Sequence, residues 1–345
     1  MSRHLNIPVF IPHLGCPNQC VFCNQRSISG VSEFKAEELT KIIDEALLTV
    51  DATDEVEIAF FGGSFTGIDY ELMVSLLDIA YGYVKSGRVN SIRCSTRPDY
   101  INGHILDTLK RYGVKVIELG LQSISEPVLL ASKRGHTASD AEAACRMIVD
   151  SGFELVGQMM IGLPQSNEES EMQTAEFIIK SGATAARIYP TVVFLDTELC
   201  AMTASGEYSP LTLDEAVRRS ALVYKKLTEA GVRVIRTGLC ASENLSSEEC
   251  YYAGPNHPAI GELVENEIFY GEIYGAASSL SPTPDDILKV YVARGAISKA
   301  VGHRKKNKLL LTESLGVCDI HFLEDAGLHG YELRVEREEG EKKCT

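Results

Sequence analysis

The stretch VEIAFFGG, residues 56–63, is an apolar run ended by two glycines. That is the pattern of a strand buried in a parallel sheet. Working outward, further short β-rich runs occur at IPVFI (7–11), SIRCSTR (91–97), VKVIELGLQS (114–123), FELVGQMMIGLP (153–164), TAARIYPTVV (184–193) and VRVIRTGL (232–239). Segments with apolar residues at helical spacing lie between them: KAEELTKIIDEALLTV (35–50), YELMVSLLDIAYGYV (70–84), INGHILDTLKRYG (101–113), DAEAACRMIVDSG (140–152), EESEMQTAEFIIKSG (168–182) and a helix at about 212–230. Six β–α units in series predict a parallel sheet with right-handed crossovers. The expected fold is α/β, a partial (β/α)6 TIM-like barrel over residues 1–240.

The remainder reads differently. HPAIGELVENEIFYGEIYG (257–275) predicts a helix, DDILKVYVARG (285–295) a strand, AISKAVGHRKKNKLLLTESLG (296–316) a basic helix and VCDIHFL (317–323) a further strand. This is expected to be a small α/β extension over 241–335, followed by a charged tail, 336–345. The chain has 345 residues, 45% of them hydrophobic, enough to bury a full core without disulfide staples. A net charge of −15 argues against a surface that grips nucleic acid everywhere, though a local basic patch remains compatible with RNA. No secretory leader and no long apolar run are present, so a cytoplasmic protein without a membrane span is expected, with reduced thiols.

The chemistry is concentrated in HLGCPNQCVFCNQ, residues 13–25, directly after the first strand. In β/α barrels the strands' C-terminal ends carry the active site. Cys16, Cys20 and Cys23 follow the spacing C-x3-C-x2-C. A closed structural metal site wants four ligands. Three thiolates on a cubane would leave one iron open, whereas His13 would complete a Cys3His zinc site. Zinc would explain none of the other segments described below.

This cysteine loop resembles that of the radical S-adenosylmethionine (radical SAM) superfamily. The resemblance implies a 4Fe–4S cluster held by Cys16, Cys20 and Cys23, with SAM chelating the open iron. It further implies reductive cleavage of SAM to a 5′-deoxyadenosyl radical that abstracts hydrogen from substrate. Candidate SAM contacts are then Gly62, Gly63 and Ser64 in FFGGSF, where the family's acidic residue is replaced by serine. Ser95 would lie near the ribose and Gln122 at the end of the fourth strand, with Arg134 of KRGHT opposite the SAM carboxylate. Gln158 lies in the fifth strand, Met160 and Ile161 near adenine, and Phe22 beside the cluster with its backbone toward adenine. Gln122 and Gln158 could equally serve buried backbone groups, and the methionines could fill core.

Three longer segments, ELGLQSISEPVLLASKRGHT, MMIGLP and RIYPTVVFLDTELCAMTASGEYSPLTLDEAV, resemble the radical SAM half of the Elongator catalytic subunit family. Members of that family carry a following acetyltransferase domain and modify the wobble uridine of tRNA. The present sequence ends where that domain would begin, so RNA modification, with tRNA as substrate, is expected without the acetyl transfer. LGLQS and GLP also occur in the oxygen-independent coproporphyrinogen oxidase type, so a small-molecule substrate is the alternative. A non-catalytic iron–sulfur or RNA-binding protein is the second. The expected electron donor is a flavodoxin or ferredoxin. The segment 299–308, with Lys299, His303, Arg304, Lys305, Lys306 and Lys308, is read as a tRNA phosphate patch, an electron-donor dock or a solvated helix. Tyr189 is a weak candidate for a catalytic or relay residue, and Cys240, Cys250 and His257 fit no common zinc spacing.

Overall fold

The structure, a computed structural model, describes residues 3–11, 20–23, 34, 36–51, 53–239 and 250–338. The chain divides into two compact units, Met1–Leu213 with Lys226–Pro258, and Asp214–Lys225 with Ala259–Thr345.

In the first unit, seven strands form one parallel sheet: β1 (His4–Ile11), β2 (Glu55–Gly62), β3 (Ser91–Thr96), β4 (Val114–Gln122), β5 (Glu154–Ile161), β6 (Ala185–Pro190) and, after a two-residue β7 (Val193–Phe194), β8 (Arg233–Thr237). Their spatial order is β1-β2-β3-β4-β5-β6-β8, the order of the sequence. With every crossover right-handed, such a sheet carries its helices on one face and curls toward the other. The result is the expected partial TIM-like barrel, six β–α units and a seventh strand. Its outer layer is packed by Leu39, Ile43, Leu76, Leu77, Leu109 and Ile148, all fully buried. Local signals agree with this packing. Thr137 and Asp140 form a capping box at the helix Ala138–Asp150, and Asn102 and Asn167 cap the helices Gly103–Arg111 and Glu168–Lys180.

Two sequence expectations change. The sixth strand does not run to residue 193. Proline 190 ends it, and Val193–Phe194 leave the sheet to pair antiparallel with β9 (Tyr251–Ala253). Short helices at Glu126–Ala131 and Glu198–Ser205 were not legible, being six and eight residues long.

The second unit has a three-stranded sheet, β11 (Asp319–Asp325), β10 (Ile287–Ala293) and β12 (Leu333–Arg337), with β10 central. Leu288, Val290 and Val292 of β10 pack with Phe269, Ile273 and Ala277 of the helix Ile260–Ser278. The basic helix expected at 296–316 is interrupted. It runs as Ile297–Val301, a 3-10 turn at His303–Lys305 and a helix at Lys306–Leu315. The break is at Gly302, whose φ is +81° and whose missing Cβ would lie 2.8 Å from Asn307. Asn307 lies across the break, donating to the carbonyls of Asn266 at 2.7 Å and Ala300 at 3.2 Å.

One glycine fixes the geometry of the barrel's edge. Gly62 has φ +113°, and a Cβ there would meet the Ile11 carbonyl oxygen of the neighbouring strand at 2.1 Å. Gly87, with φ +73°, has nothing within 4 Å of the same position. Gly62→Ala is therefore expected to destabilise the protein by about 3 kcal/mol, and Gly87→Ala by only about 1 kcal/mol. Urea unfolding of the two variants measures the difference.

Candidate functional site

The concave face of the first sheet carries charge where a closed barrel would carry aliphatic layers. Its lowest described layer is apolar, with Val116, Val156 and Ala185 in contact. Above it, Glu118 of β4 is fully buried between two arginines. Arg93 Nη1 donates to Glu118 Oε1 at 3.0 Å, and Arg187 Nε and Nη2 lie 2.8 and 2.9 Å from the same carboxylate. Arg93 also donates to Glu57 through Nε at 2.7 Å, and Ser91 hydrogen-bonds Glu57 as well. Two acids and two guanidiniums, on β2, β3, β4 and β6, thus form a charge-balanced array.

Several expected residues join this array. Gln158 Nε2 donates to Glu118 Oε2 at 3.0 Å, and Ser95 Oγ lies 3.4 Å from the same oxygen. Arg187 Nη1 donates to the Tyr189 hydroxyl at 3.5 Å, and burial pushes the Tyr189 phenol upward, so it remains protonated. The Arg187 guanidinium also lies 5.3 Å from the Phe61 ring centroid. Ser64 is buried at the start of a 3-10 turn; its side chain makes no capping bond there, but its carbonyl accepts from Gly67 N–H at 3.0 Å.

The cysteine loop sits at the strands' C-terminal ends. Cys16 falls outside the described residues, as do His13, Cys240 and Cys344. Cys20 to Cys23 form a turn, with Cys23 N–H donating to the Cys20 carbonyl at 3.0 Å. Val21 anchors this turn twice, its N–H to the Ser132 carbonyl at 3.3 Å and its carbonyl to Leu199 N–H at 2.8 Å. The Val21 side chain is buried with Val193, Leu199 and Tyr208, and Phe22 packs against that cluster.

Around the Cys20 thiol the environment is cationic. Arg134 Nη1 lies 3.2 Å and Arg97 Nη1 3.6 Å from its sulfur, and all three residues are buried. Arg134 Nη2 donates to the Gly120 carbonyl at 2.6 Å. Gln122, with φ +66°, brings its Nε2 to 3.1 Å from the position of a Gly120 Cβ, and Arg134 Nη2 to 3.6 Å. Two buried atoms there have no hydrogen-bond partner, the acceptor Gln122 Oε1 and the donor Arg134 Nε. His136 is also buried with both ring nitrogens unpartnered. Burial, reinforced by Arg134 and Arg97, pushes its pKa down to about 4.

The longer sequence segments are tied together here. Tyr208 of GEYSPLT donates its hydroxyl to the Gly162 carbonyl of MMIGLP at 2.6 Å. Thr191 of YPT donates to the Ile161 carbonyl at 2.7 Å, and Gly162 N–H donates to Glu171 Oε1 at 2.7 Å. Sequence reasoning did not single out Glu57, Arg93, Arg97, Glu118 or Arg187. The available signal was a lone charged residue inside each apolar strand, as in VIELGL and AARIYP.

Two other thiols, Cys94 and Cys145, are buried away from this site. Burial raises the Cys94 pKa to about 12 and that of Cys145 to about 11, so both are inert. Among the described residues, no group of three or more His, Cys, Asp or Glu is arranged as a metal site, and no helix is long and apolar enough to cross a membrane. In the second unit, three cations of the segment 299–308 are paired: Lys299 with Glu265 at 2.9 Å, Lys306 with Asp214 at 3.0 Å and Lys308 with Asp319 at 2.9 Å.

Two outcomes are expected from this arrangement. Glu118→Gln leaves the buried Arg187 without its carboxylate and Arg93 with Glu57 alone, and is expected to cost about 3 kcal/mol. Glu198→Gln, which breaks the exposed pair with Lys133 at 2.5 Å, is expected to change stability by less than about 1 kcal/mol. Chemical denaturation of both variants tests this. For His136 the unfolded ring binds its proton near the ordinary pKa of 6.5 and the folded ring only near 4. The contribution is therefore intact above about 6.5 and lost as pH falls toward 4. Between those values, His136→Gln is expected to show a flatter dependence of unfolding midpoint on pH than the wild type.

Comparison with known proteins supplies the family. A model described as the radical SAM superfamily matches residues 10–178, and one described as the radical SAM C-terminal domain matches 183–269. An uncharacterised protein of Methanocaldococcus jannaschii is 32% identical over 229 residues, covering 62% of this chain and 68% of that one. The tRNA uridine(34) acetyltransferase of the same organism is 30% identical over 185 residues, or 48% of this chain. The matched region spans 34% of that acetyltransferase's length. The solved structure of Methanocaldococcus infernus Elp3 with an N-terminal deletion shares the fold, with a TM-score of 0.62 at 21% identity over 80% of this chain and 63% of that one. The chain belongs to the radical SAM superfamily of enzymes, and about half of it is homologous to the radical SAM region of the Elongator Elp3 proteins.

Proposed function

We propose that this protein binds a 4Fe–4S cluster and SAM, cleaves SAM reductively, and uses the resulting radical to modify RNA, with tRNA as the substrate. The observation that carries the cofactor reading is the Cys20 sulfur between two buried guanidiniums, beside an orphan acceptor and an orphan donor. A zwitterionic amino acid has an ammonium for Gln122 Oε1 and a carboxylate for Arg134 Nε, so the residues present fit the group the family normally binds. Cys16, Cys20 and Cys23 would hold the cluster.

When bound, the cluster and SAM supply a one-electron route to a hydrogen-abstracting radical, with the electron coming from a flavodoxin or ferredoxin. The protein's own residues position and shield. Gly62 lets a ligand approach the backbone between β1 and β2, where any side chain would collide with Ile11. Gly63 and Ser64 continue that edge, and the buried Ser64 excludes water from it. Ser95 and Gln158 are oriented by Glu118, which leaves their remaining hydrogen-bonding capacity for the ribose. The Tyr189 phenol, kept protonated by burial, can donate a hydrogen bond or a hydrogen atom into the concave face.

The choice of RNA is supported by a relative whose name states that it acts on tRNA uridine 34. In this reading residues 1–240 carry the radical chemistry and 241–335 contact substrate, with Arg304 and Lys305 exposed in the segment 299–308. The test is anaerobic reconstitution with iron and sulfide, followed by dithionite reduction in the presence of SAM. Formation of 5′-deoxyadenosine, increased by total tRNA, is the expected result, and Cys20→Ala is expected to reduce it to background. Cleavage that tRNA leaves unchanged would count against the RNA substrate, and iron-free protein against the whole reading.

A further inference from the structure

Arg97 enters the reading above only as one of the two charges beside the Cys20 sulfur, with no role of its own. It follows β3 in CSTRPDY and is 5% exposed. Its guanidinium is held by Asp99, with Nε at 2.9 Å from Oδ1 and Nη2 at 3.1 Å from Oδ2. Nη2 also donates to the carbonyl oxygen of Arg134. Two of the fork's nitrogens are thereby fixed, and the third, Nη1, lies 3.6 Å from the Cys20 sulfur. One side chain joins the end of β3, the KRGHT loop and the cysteine loop, three segments far apart in sequence.

We infer that Arg97 is a positioning residue for the cluster: it holds Cys20 and the Arg134 backbone in register and places a fixed positive charge against a cluster sulfur ligand. The inference rests on the cluster-binding reading above. A planar guanidinium bound at two edges has no freedom to turn away, so its third nitrogen defines where the sulfur sits. A cationic hydrogen-bond donor on a ligand sulfur also stabilises the more negative, reduced state of an iron–sulfur cluster and raises its potential. The Asp99 carboxylate, 23% exposed on its side chain, lies on the opposite edge of the guanidinium and offsets this only in part.

The test uses the full chain and two substitutions, Arg97→Gln and Arg97→Lys. Each protein is reconstituted, its iron content is measured, and its midpoint potential is determined by spectroscopic titration with dithionite. Thermal unfolding before reconstitution is the control for folding. The expected result is wild-type iron content with a midpoint displaced to lower potential in Arg97→Gln, and an intermediate midpoint in Arg97→Lys, which restores charge without the fork. Iron taken up by Arg97→Lys and not by Arg97→Gln also supports the inference, since charge at the sulfur is then what retains the cluster. A fully loaded Arg97→Gln with an unshifted or raised midpoint overturns it. Loss of thermal stability in both variants overturns it too, because the residue would then serve the fold alone. Wild-type protein that takes up no iron rejects the cluster reading itself, an outcome separable from all of these.

Discussion

Glu118 is a carboxylate with no access to water, and the interior of the sheet is organised around it. An isolated charge in that position would be protonated or excluded. It is retained because Arg93 and Arg187 reach it from the strands on either side of β4 and its β5 neighbour, each at hydrogen-bonding distance. Such an array is poor as a source of net stability, since apolar residues could fill the same volume at least as well. Its effect is geometric. Gln158 and Ser95 both meet the second oxygen of Glu118, so two candidate ligand contacts take their orientation from one buried charge.

The rim depends on a different device. Among the described residues the Cys20–Cys23 turn is closed by a backbone bond from Cys23 N–H to the Cys20 carbonyl at 3.0 Å. What holds it is external: the Ser132 carbonyl on one side, the first turn of the helix Glu198–Ser205 on the other, and the apolar contact of Val21 with Tyr208. Tyr208 is in turn bonded to Gly162 at the end of β5. The segments KRGHT, MMIGLP, YPT and GEYSPLT are thus joined in space at one end of the barrel. Their joint presence in the sequence was more specific than the cysteine spacing because each helps fix the same loop.

The barrel was legible because period and punctuation agree. Each strand is an apolar run, each helix an amphipathic one, and Gly113, Gly152 and Gly182 stop helices at the left-handed backbone they require. The short elements were not legible, since a six-residue helix such as Glu126–Ala131 shows less than two turns of periodicity. The basic segment misled for another reason. Its charges suggested a continuous helix, but the decisive residues were the pair Gly302 and Asn307, which together break it. At the site, strand-end positions could be named from the resemblance. The partnership of Arg97 with Cys20 could not, because the two lie 77 positions apart and no local pattern links them.

For the RNA substrate proposed above, the net charge of −15 sets a physical condition on binding. Affinity from phosphate neutralisation scales with the number of counterions released, with a salt slope of about −0.7 per contact on single strands. Lys299, Lys306 and Lys308 already have carboxylate partners, so a phosphate gains little unless it displaces Glu265, Asp214 or Asp319. Arg304 and Lys305 are exposed cations of the same segment, held on consecutive residues with left-handed backbone. Two contacts of that kind give a weak, shallow salt dependence, less than a whole tRNA-binding surface requires. On the RNA reading proposed above, that segment gives little affinity, and the part-exposed Phe61, Met160 and Tyr189 on the concave face are the side chains able to stack on a base.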